Sequence, residues 1–576
     1  MQSLSAERSP AGGLLTSFAK WAAHRAAGPA LAVSLLAIGA VATLPAFADA
    51  IPADQLVSVV AENSRTFTKT FNPFSPTSRW VTNRTMYEPL MIQNFATGKL
   101  EPWLATDYKW SADATELDVT LRDGVKWSDG QPLTAADVAF TFNLMKDHDG
   151  LIGPASGAFK DYLKSVAADG DKTVKFTFSK VYTPGLFSIV SQFIVPEHVW
   201  KDVKDPVTFA NDAPVATGPF TTIANFGPQQ YQVTNNPNYW QPIAIKGINV
   251  QAFSGNDQIS AAVLSGQIDW GGLVPDPDTT FVARDPAHFG YWWPRSSVVQ
   301  FVVNTTDPTL GDVKVRKAMS LALDRQRMIN TAVWGKSVPA NATGLAVTPF
   351  KDWIDQKVVD AGSSWIGDDP DTAKKMLDDA GYKAGSDGIR VGKDGKPLSY
   401  SIIVPNGWND WISDCQTISE NLKDIGINVE VKVTTVENWT NSTFNGSFQM
   451  ALGSAQPTAT PFEFYRNNMS SATVVPVGQS SANNVQRFAD KAADPLLDKF
   501  AASTDQAEQK TIASQLETMF SADAPVIPLY EQPDWGLYNT MRFTGFPSEK
   551  DPYAPLSLQM ANTPLLVFPH LKPVAK

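Results

Sequence analysis

Two tryptophan-bearing loops carry the residue types best suited to hold a ligand: Trp270 with Gly271-Gly272, and Asn406-Gly407-Trp408-Asn409-Asp410-Trp411. An indole face offers a flat apolar surface to the CH face of a sugar ring, while Asn, Gln and Ser groups exchange hydrogen bonds with its hydroxyls. Asn72, Ser454 and Gln456 add such polar groups at other strand ends. Catalytic patterns are missing: the chain has no nucleophile elbow, no P-loop and no G-x-G-x-x-G. Ser17-Phe18-Ala19-Lys20 fits S-x-x-K, but it falls in a leader-like N-terminus. The histidines (His24, His148, His198, His288, His570) are scattered without metal-ligand spacing, and Asp276-Pro277-Asp278 begins a cation loop that nothing downstream completes. Neither a metal nor a cofactor is therefore expected. Paired carboxylates for glycoside hydrolysis stay open, since such partners need only be near in space. The chemistry to expect is binding.

The elements that would position these loops read as mixed α/β units. Ile248–Phe253 is a strand, Asp257–Leu264 a helix closed by Ser265-Gly266, and Ile268–Trp270 a second strand. Tyr400–Val404, Ile412–Ile425 and Asn428–Val433 repeat that strand-helix-strand order further along. Ligands of open α/β sheets bind beyond the carboxyl ends of strands. Trp270 and the loop 405–411 both lie at such ends, so two loops from separate units could face each other across a cleft. Leu56–Val60 starts the first sheet, Thr173–Phe178 pairs with Ser165–Val166 across Asp169-Gly170-Asp171, and Val526–Tyr530 supplies a late strand. Trp103, Trp127, Trp200 and Trp240 sit among packing motifs and read as core; Trp80, Trp292, Trp293, Trp439 and Trp535 fall in loops or at strand ends.

Residues 1–48 read as an export signal. Arg8, Lys20 and Arg25 face one acid, Glu7; an apolar run follows from Ala30 to Val41, and Ala46-Phe47-Ala48 fits the small-x-small cleavage rule. The run is too short and interrupted for a spanning helix. No cysteine stands at the cleavage site, so lipid anchoring is not expected. The net charge of −11 becomes more negative once this basic leader is gone, which argues against nucleic acid or an anionic membrane as partner. Cys415 is the single cysteine, which excludes an internal disulfide; its place on a helix face reads as a buried thiol. Residues 49–576 exceed what one core usually supports, so two or three lobes are expected.

The run Leu117 to Phe142, LDVTLRDGVKWSDGQPLTAADVAFTF, reads as a half-buried strand, two Asp-Gly turns and a helix capped by Thr134 with Asp137 in its first turn. As a pattern it closely resembles the signature block of the extracytoplasmic solute-binding proteins of family 5, which serve ABC importers of peptides, oligosaccharides and related solutes. Tyr87-Glu88-Pro89-Leu90 with Leu100-Glu101-Pro102-Trp103-Leu104-Ala105, and Asp312 to Ala318 continuing through Ala322-Leu323-Asp324-Arg325, match two further blocks. The resemblance runs from the first strand to about residue 545. It implies an α/β, two-lobed periplasmic-binding-protein (Venus flytrap) fold with mixed sheets, an extra subdomain in the first lobe and hinge crossovers between lobes. Residues 49–298 would form the first lobe, with 76–200 as the insertion; 299–532 would form the second, and 533–576 would return to the first.

In peptide-binding members a segment of the type Trp-x-x-Asp-Tyr-x-(Asp/Glu)-Pro follows the strand entering the cleft, and its Asp holds the peptide's ammonium. Here Phe448–Leu452 runs instead into Gly453-Ser454-Ala455-Gln456-Pro457-Thr458-Ala459-Thr460-Pro461, with no carboxylate before Glu463. Such a loop suits neutral hydroxyls and offers nothing to a buried ammonium. The pattern resembles the cellobiose or β-linked oligosaccharide branch. The expectation is a monomeric, secreted or periplasmic, non-enzymatic protein that delivers a neutral oligosaccharide to ABC permease subunits. Asn72, Trp270, Gly271, Asn406, Trp408, Trp411, Ser454 and Gln456 would contact it. An oligopeptide or another organic solute such as an opine is the alternative, and a secreted sensor, chaperone or scaffold a third.

Overall fold

A computed structural model describes residues 55–62 and 68–575; the leader expected at 1–48 lies outside the described residues. The first sheet takes the order Val57–Glu62, Gly247–Ala252, Gln230–Asn235, Phe220–Phe226, with the first pair parallel and the others antiparallel. Val57–Glu62 is buried along its whole length, as a strand covered on both faces must be. Ile268–Trp270 does not form the expected strand. Trp270 makes only isolated bridges to Val59 and Tyr538. The neighbouring Asp269 carboxylate is instead spent on Ser58 N–H at 2.7 Å and Arg542 Nε–H at 2.9 Å.

Residues between those strands build a second sheet, ordered Ala105–Trp110, Glu116–Leu121, Thr173–Phe178, Leu163–Asp169 and antiparallel throughout. The alternation of Leu117, Val119 and Leu121 turns them inward, where Phe176 meets Phe142 of the helix Ala135–Asp147 edge-on at 4.9 Å. That helix begins as the sequence predicts: Asp137 accepts the Thr134 N–H at 2.9 Å in a capping box.

The other lobe centres on a five-stranded sheet ordered Asn428–Thr434, Ser399–Pro405, Met450–Ser454, Arg295–Val303, Ile527–Pro533. Alternation along Arg295–Val303 sends Val299, Phe301 and Val303 into one apolar layer, with the helices Val313–Leu321, Arg325–Ala332 and Asn409–Asp424. Val302 goes into the opposite layer, under Pro461–Met469, Asp494–Ala502 and Gln506–Asp523. Helices on both faces cover the sheet and leave its strand ends open. Cys415 is fully buried in the first of these layers.

Two extended stretches cross between lobes side by side. Arg295–Val303 pairs with Ile527–Pro533, and their continuations Phe289–Tyr291 and Leu537–Asn539 pair as well. Trp292 N–H donates to Gly536 O at 3.3 Å and Asp534 N–H to Pro294 O at 2.8 Å, so the crossovers are bonded to each other throughout. Beyond them, Phe543, Phe546, Leu556, Leu565 and Phe568 join the first lobe's core, Phe568 lying edge-on to Phe220 at 4.9 Å.

The sequence blocks that carry the resemblance are folding devices. Glu88 is fully buried and accepts Trp103 Nε1–H at 2.6 Å, Tyr239 O–H at 3.3 Å and Trp240 Nε1–H at 3.4 Å. Arg316 collects the carbonyls of Leu310, Asp523 and Ala524 at 2.7–2.9 Å, and Arg325 those of Ser320, Gly367 and Pro528. Each guanidinium ties a helix end to a neighbouring chain segment, because its fork of donors satisfies several orphan carbonyls at once.

Candidate functional site: the edge between the lobes

One edge of the second-lobe sheet gathers the carboxyl ends of Ser399–Pro405, Met450–Ser454 and Ile527–Pro533 beside the start of Arg295–Val303. Register fixes which side chains meet there: Ser297 stands opposite Gln532, and Ser454 opposite Val299. Ser297 Oγ lies 3.4 Å from Ser454 Oγ and 3.3 Å from Gln532 Oε1, and Ser454 Oγ also donates to that Oε1. Gln456 is exposed two residues on, beside Ser296 and Ser297 in a shallow crevice. Asp534 follows immediately after Pro533. Burial pushes its carboxyl up to about 7, against the opposing influence of the Ser296 hydroxyl, and its Oδ2 has no partner among the described residues. The edge is thus a row of hydroxyls and amides beside a buried acid, Asp534, that spends much of its time protonated near neutral pH, and beside the Arg295–Glu531 ion pair at 3.0 Å.

Aromatic surface follows the end of Ser399–Pro405, the strand next to Met450–Ser454. Trp408, Trp411 and Trp439 form a triangle with centroids 5.0, 5.8 and 5.9 Å apart. Trp411 is buried against the core; Trp408 and Trp439 are half-buried, and Trp439 Nε1 lacks an acceptor among the described residues. Asn406 is exposed at the mouth of the same loop, its own N–H held by Thr434 O at 2.7 Å. Trp535, next to Asp534, meets Trp293 edge-on at 4.8 Å at the hinge.

The two strand-helix units do face each other. Asn256 N–H donates to Gly407 O at 3.0 Å, Asn256 Nδ2–H to Asp410 Oδ1 at 3.0 Å, and Asn409 Nδ2–H to Asp257 Oδ1 at 2.8 Å. Each lobe therefore offers one amide and one carboxylate. Gly407 holds φ +83°, and a Cβ on it would lie 3.0 Å from Ser254 O; a Cβ on Gly255 would lie 3.1 Å from Gly407 Cα. Only glycines permit so close an approach of two backbones. Elsewhere the insertion meets the second lobe: Thr183 N–H donates to Ala501 O at 2.8 Å, Tyr182 lies edge-on to Phe462 at 5.8 Å, and Arg466 pairs with Asp161 at 3.6 Å. Glu463 is half-buried beside Arg466, and burial lifts its carboxyl to about 7.

Three expected contacts are corrected by packing. Trp270 is completely buried, its Nε1–H donating to Leu556 O at 2.7 Å and its ring set 5.5 Å from Phe568. It is a core residue of the first lobe with no face left for a ligand. Gly271 packs under Leu558, whose Cδ1 would lie 2.3 Å from an added Cβ, so its small size serves the core as well. Asn72 is fully buried and holds a loop together: its Nδ2 donates to Pro206 O at 2.8 Å and Phe209 O at 2.9 Å, and its Oδ1 accepts Phe74 N–H at 2.9 Å. Sequence reading missed Ser296, Ser297, Gln532 and Asp534. Their one signal is that polar residues bracket apolar strands at Arg295–Val303 and Ile527–Pro533, a cue that acquires meaning once the strands are known to be paired.

Known proteins share this fold. The description "bacterial extracellular solute-binding proteins, family 5 Middle" matches residues 99–475, more than half of the chain. The periplasmic oligopeptide-binding protein of an oligopeptide ABC transporter from Thermotoga maritima, solved with mannohexaose bound, superposes with a TM-score of 0.82 at 25% identity, covering 92% of this chain and 100% of its own. The oligopeptide-binding protein AppA from Bacillus subtilis, solved with a nonapeptide, shares the fold with a TM-score of 0.74 at 20% identity, over 90% of this chain and 98% of its own. Protein XP55 of Streptomyces lividans is 30% identical over 59% of this chain and 60% of its own length. The chain thus spans about 60% of that curated relative. Among the described residues no helix is long and apolar enough to cross a membrane.

Proposed function

This chain belongs to family 5 of the bacterial extracellular solute-binding proteins, and from that premise we propose that it captures a neutral oligosaccharide, of the β-linked type, and delivers it to the permease subunits of an ABC transporter. The observation that carries the reading is the polar edge itself. Ser297, Ser454, Gln456 and Gln532 present hydroxyls and amides side by side, and Trp408, beyond the end of the neighbouring strand Ser399–Pro405, packs with Trp439 to offer half-buried indole faces. Donors and acceptors in a row with flat apolar walls match a sugar ring, polar at its rim and apolar on its faces. The ligand would bind between lobes held by the paired crossovers, and contacts to both sides would favour the closed form.

Asp534 favours a second reading, in which the solute is a peptide. An ammonium beside its unpartnered oxygen would compensate the buried charge and pull its pKa down. Calorimetric titration with β-linked glucose and mannose oligomers and with short peptides, each at low and high salt, separates the two. A neutral sugar should bind with nearly the same affinity at both salt concentrations, because it carries no charge to screen. Binding of peptides alone, with steep loss at high salt, would overturn the oligosaccharide reading and leave the transporter role standing.

A further inference from the structure

Away from the polar edge, the first lobe contains a cavity of about 330 Å³ whose lining residues all come from that lobe. Part of its wall is an unusual piece of backbone. Thr82–Met86 winds with i→i+5 hydrogen bonds, Met86 N–H to Val81 O at 3.1 Å and Tyr87 N–H to Thr82 O at 2.9 Å. Such π-turns are rare and recur at functional sites. This one carries Asn83 and Arg84, both of which line the cavity with Ser78. Asn83 Oδ1, Ser78 Oγ and Arg84 Nε are buried without a partner among the described residues. Trp80, Phe193 and Ile152 supply apolar wall.

The charge balance is uneven. Arg79 faces Glu62 at 3.6 Å. Arg84 pairs with no carboxylate among the described residues; it donates only to the carbonyls of Asn83 at 3.4 Å and Gln559 at 3.3 Å, both long. Burial without a counter-charge lowers its pKa to about 10. A half-buried guanidinium whose Nε–H has no acceptor among the described residues, beside a Ser78 hydroxyl free to donate, fits one end of an anion well, because a carboxylate satisfies the fork of donors bidentately. The apolar wall matches a ring-sized body, and the volume lies in the range of small-molecule sites.

We infer that this cavity is a second binding site, taking a small organic anion whose carboxylate meets Arg84 and whose apolar body lies against Trp80 and Phe193. Benzoate is the probe, with benzyl alcohol as its uncharged counterpart and inorganic phosphate as an anion without an apolar body. Titration of the full chain should show benzoate binding, with benzyl alcohol and phosphate each weaker by about tenfold or more, since both the charge-assisted bonds and the apolar contact are required. Arg84→Gln should lower benzoate affinity by about tenfold or more, the loss expected of a charge-assisted bond. Should that variant fail to fold, Ser78→Asp, which sets a fixed carboxylate on the same wall, should abolish benzoate binding instead. Trp408→Ala should leave benzoate affinity unchanged. Equal binding of benzoate by Arg84→Gln or Ser78→Asp and the parent chain, phosphate binding as tight as benzoate, or loss of benzoate in Trp408→Ala would each overturn the proposal.

Discussion

Trp270 and Trp408 look alike in the sequence, each at the end of a strand and each next to small or polar neighbours, yet their environments differ completely. Trp270 is sealed between Phe568, Phe546 and the Leu556 carbonyl. Trp270→Ala should therefore cost roughly 3–5 kcal/mol of stability, as truncation of a core indole does. The fraction that folds should bind ligand normally. Trp408→Ala should do the reverse, weakening ligand binding by about 1–3 kcal/mol if the indole is a hot spot, while the melting temperature moves little. Measuring melting and affinity on both variants checks the pair; a stable Trp270→Ala protein would contradict a structural role for the Trp270 ring in the core. Asp534 supports a third forecast. Its folded pKa of about 7 stands above the ordinary carboxylate value, so the stability it contributes is complete below the unfolded pKa and is lost as pH rises through about 7. Asp534→Asn should accordingly be more stable than the parent at pH 8 and not at pH 4, by denaturant titration at the two pH values.

At the scale of elements, much of the architecture could be read in advance and the binding edge could not, for a physical reason. Period-two alternation gives Glu116–Leu121, and the capping signal at Thr134 gives the helix after it, because both depend on neighbours within a few residues. The strand and helix of both units are legible for the same reason, with the helix expected at Ile412 starting at Asn409, but the return strand expected at Ile268–Trp270 does not form. Ser297, Ser454 and Gln532 come from strands far apart in the chain, so only sheet register brings them together. Asn72 misled because a buried amide capping a loop and an amide awaiting a ligand have the same local sequence. The contact between the units carries its own prediction. Gly407 approaches Gly255 and Ser254 so closely that Gly407→Val should prevent the two loops from meeting, both by bulk and by its φ of +83°. Gly407 lies outside the apolar layers of the lobes, so the fold should survive while ligand affinity falls and the ligand-bound radius of gyration stays near that of the open form. Full compaction of this variant in small-angle scattering would show that the loops need not touch.

For the whole molecule, the relevant balance is between lobes that each have their own core and a shared edge made of polar groups. The paired crossovers at Trp292–Gly536 and Pro294–Asp534 keep the lobes connected whatever the edge does. Acids are distributed across both levels. Glu88 and Glu517 are buried within lobes, Glu463 and Asp534 lie where the lobes or crossovers meet, and burial raises all four to about 7. A carboxyl whose folded pKa lies above its unfolded value holds its proton more tightly in the folded chain, so folding takes up protons and is favoured by acid over that interval. Exposed acids such as Asp113 and Asp369 are held below the ordinary range by neighbouring hydroxyls, but they act at lower pH and in open solvent, where such contacts count for little. The melting temperature should consequently be higher at pH 5 than at pH 8, falling most steeply between about 6 and 8 where the four raised groups lose their protons. Opening the lobes would expose Glu463 and return it toward the ordinary carboxylate range, so the same interval should also favour closure at its acid end. Scattering of the unliganded protein at pH 5 and pH 8 reads this second effect apart from melting. A radius of gyration that is smaller at pH 8 would show that Glu463 is ionised in the closed edge and compensated there, and would remove proton uptake from the account of closure.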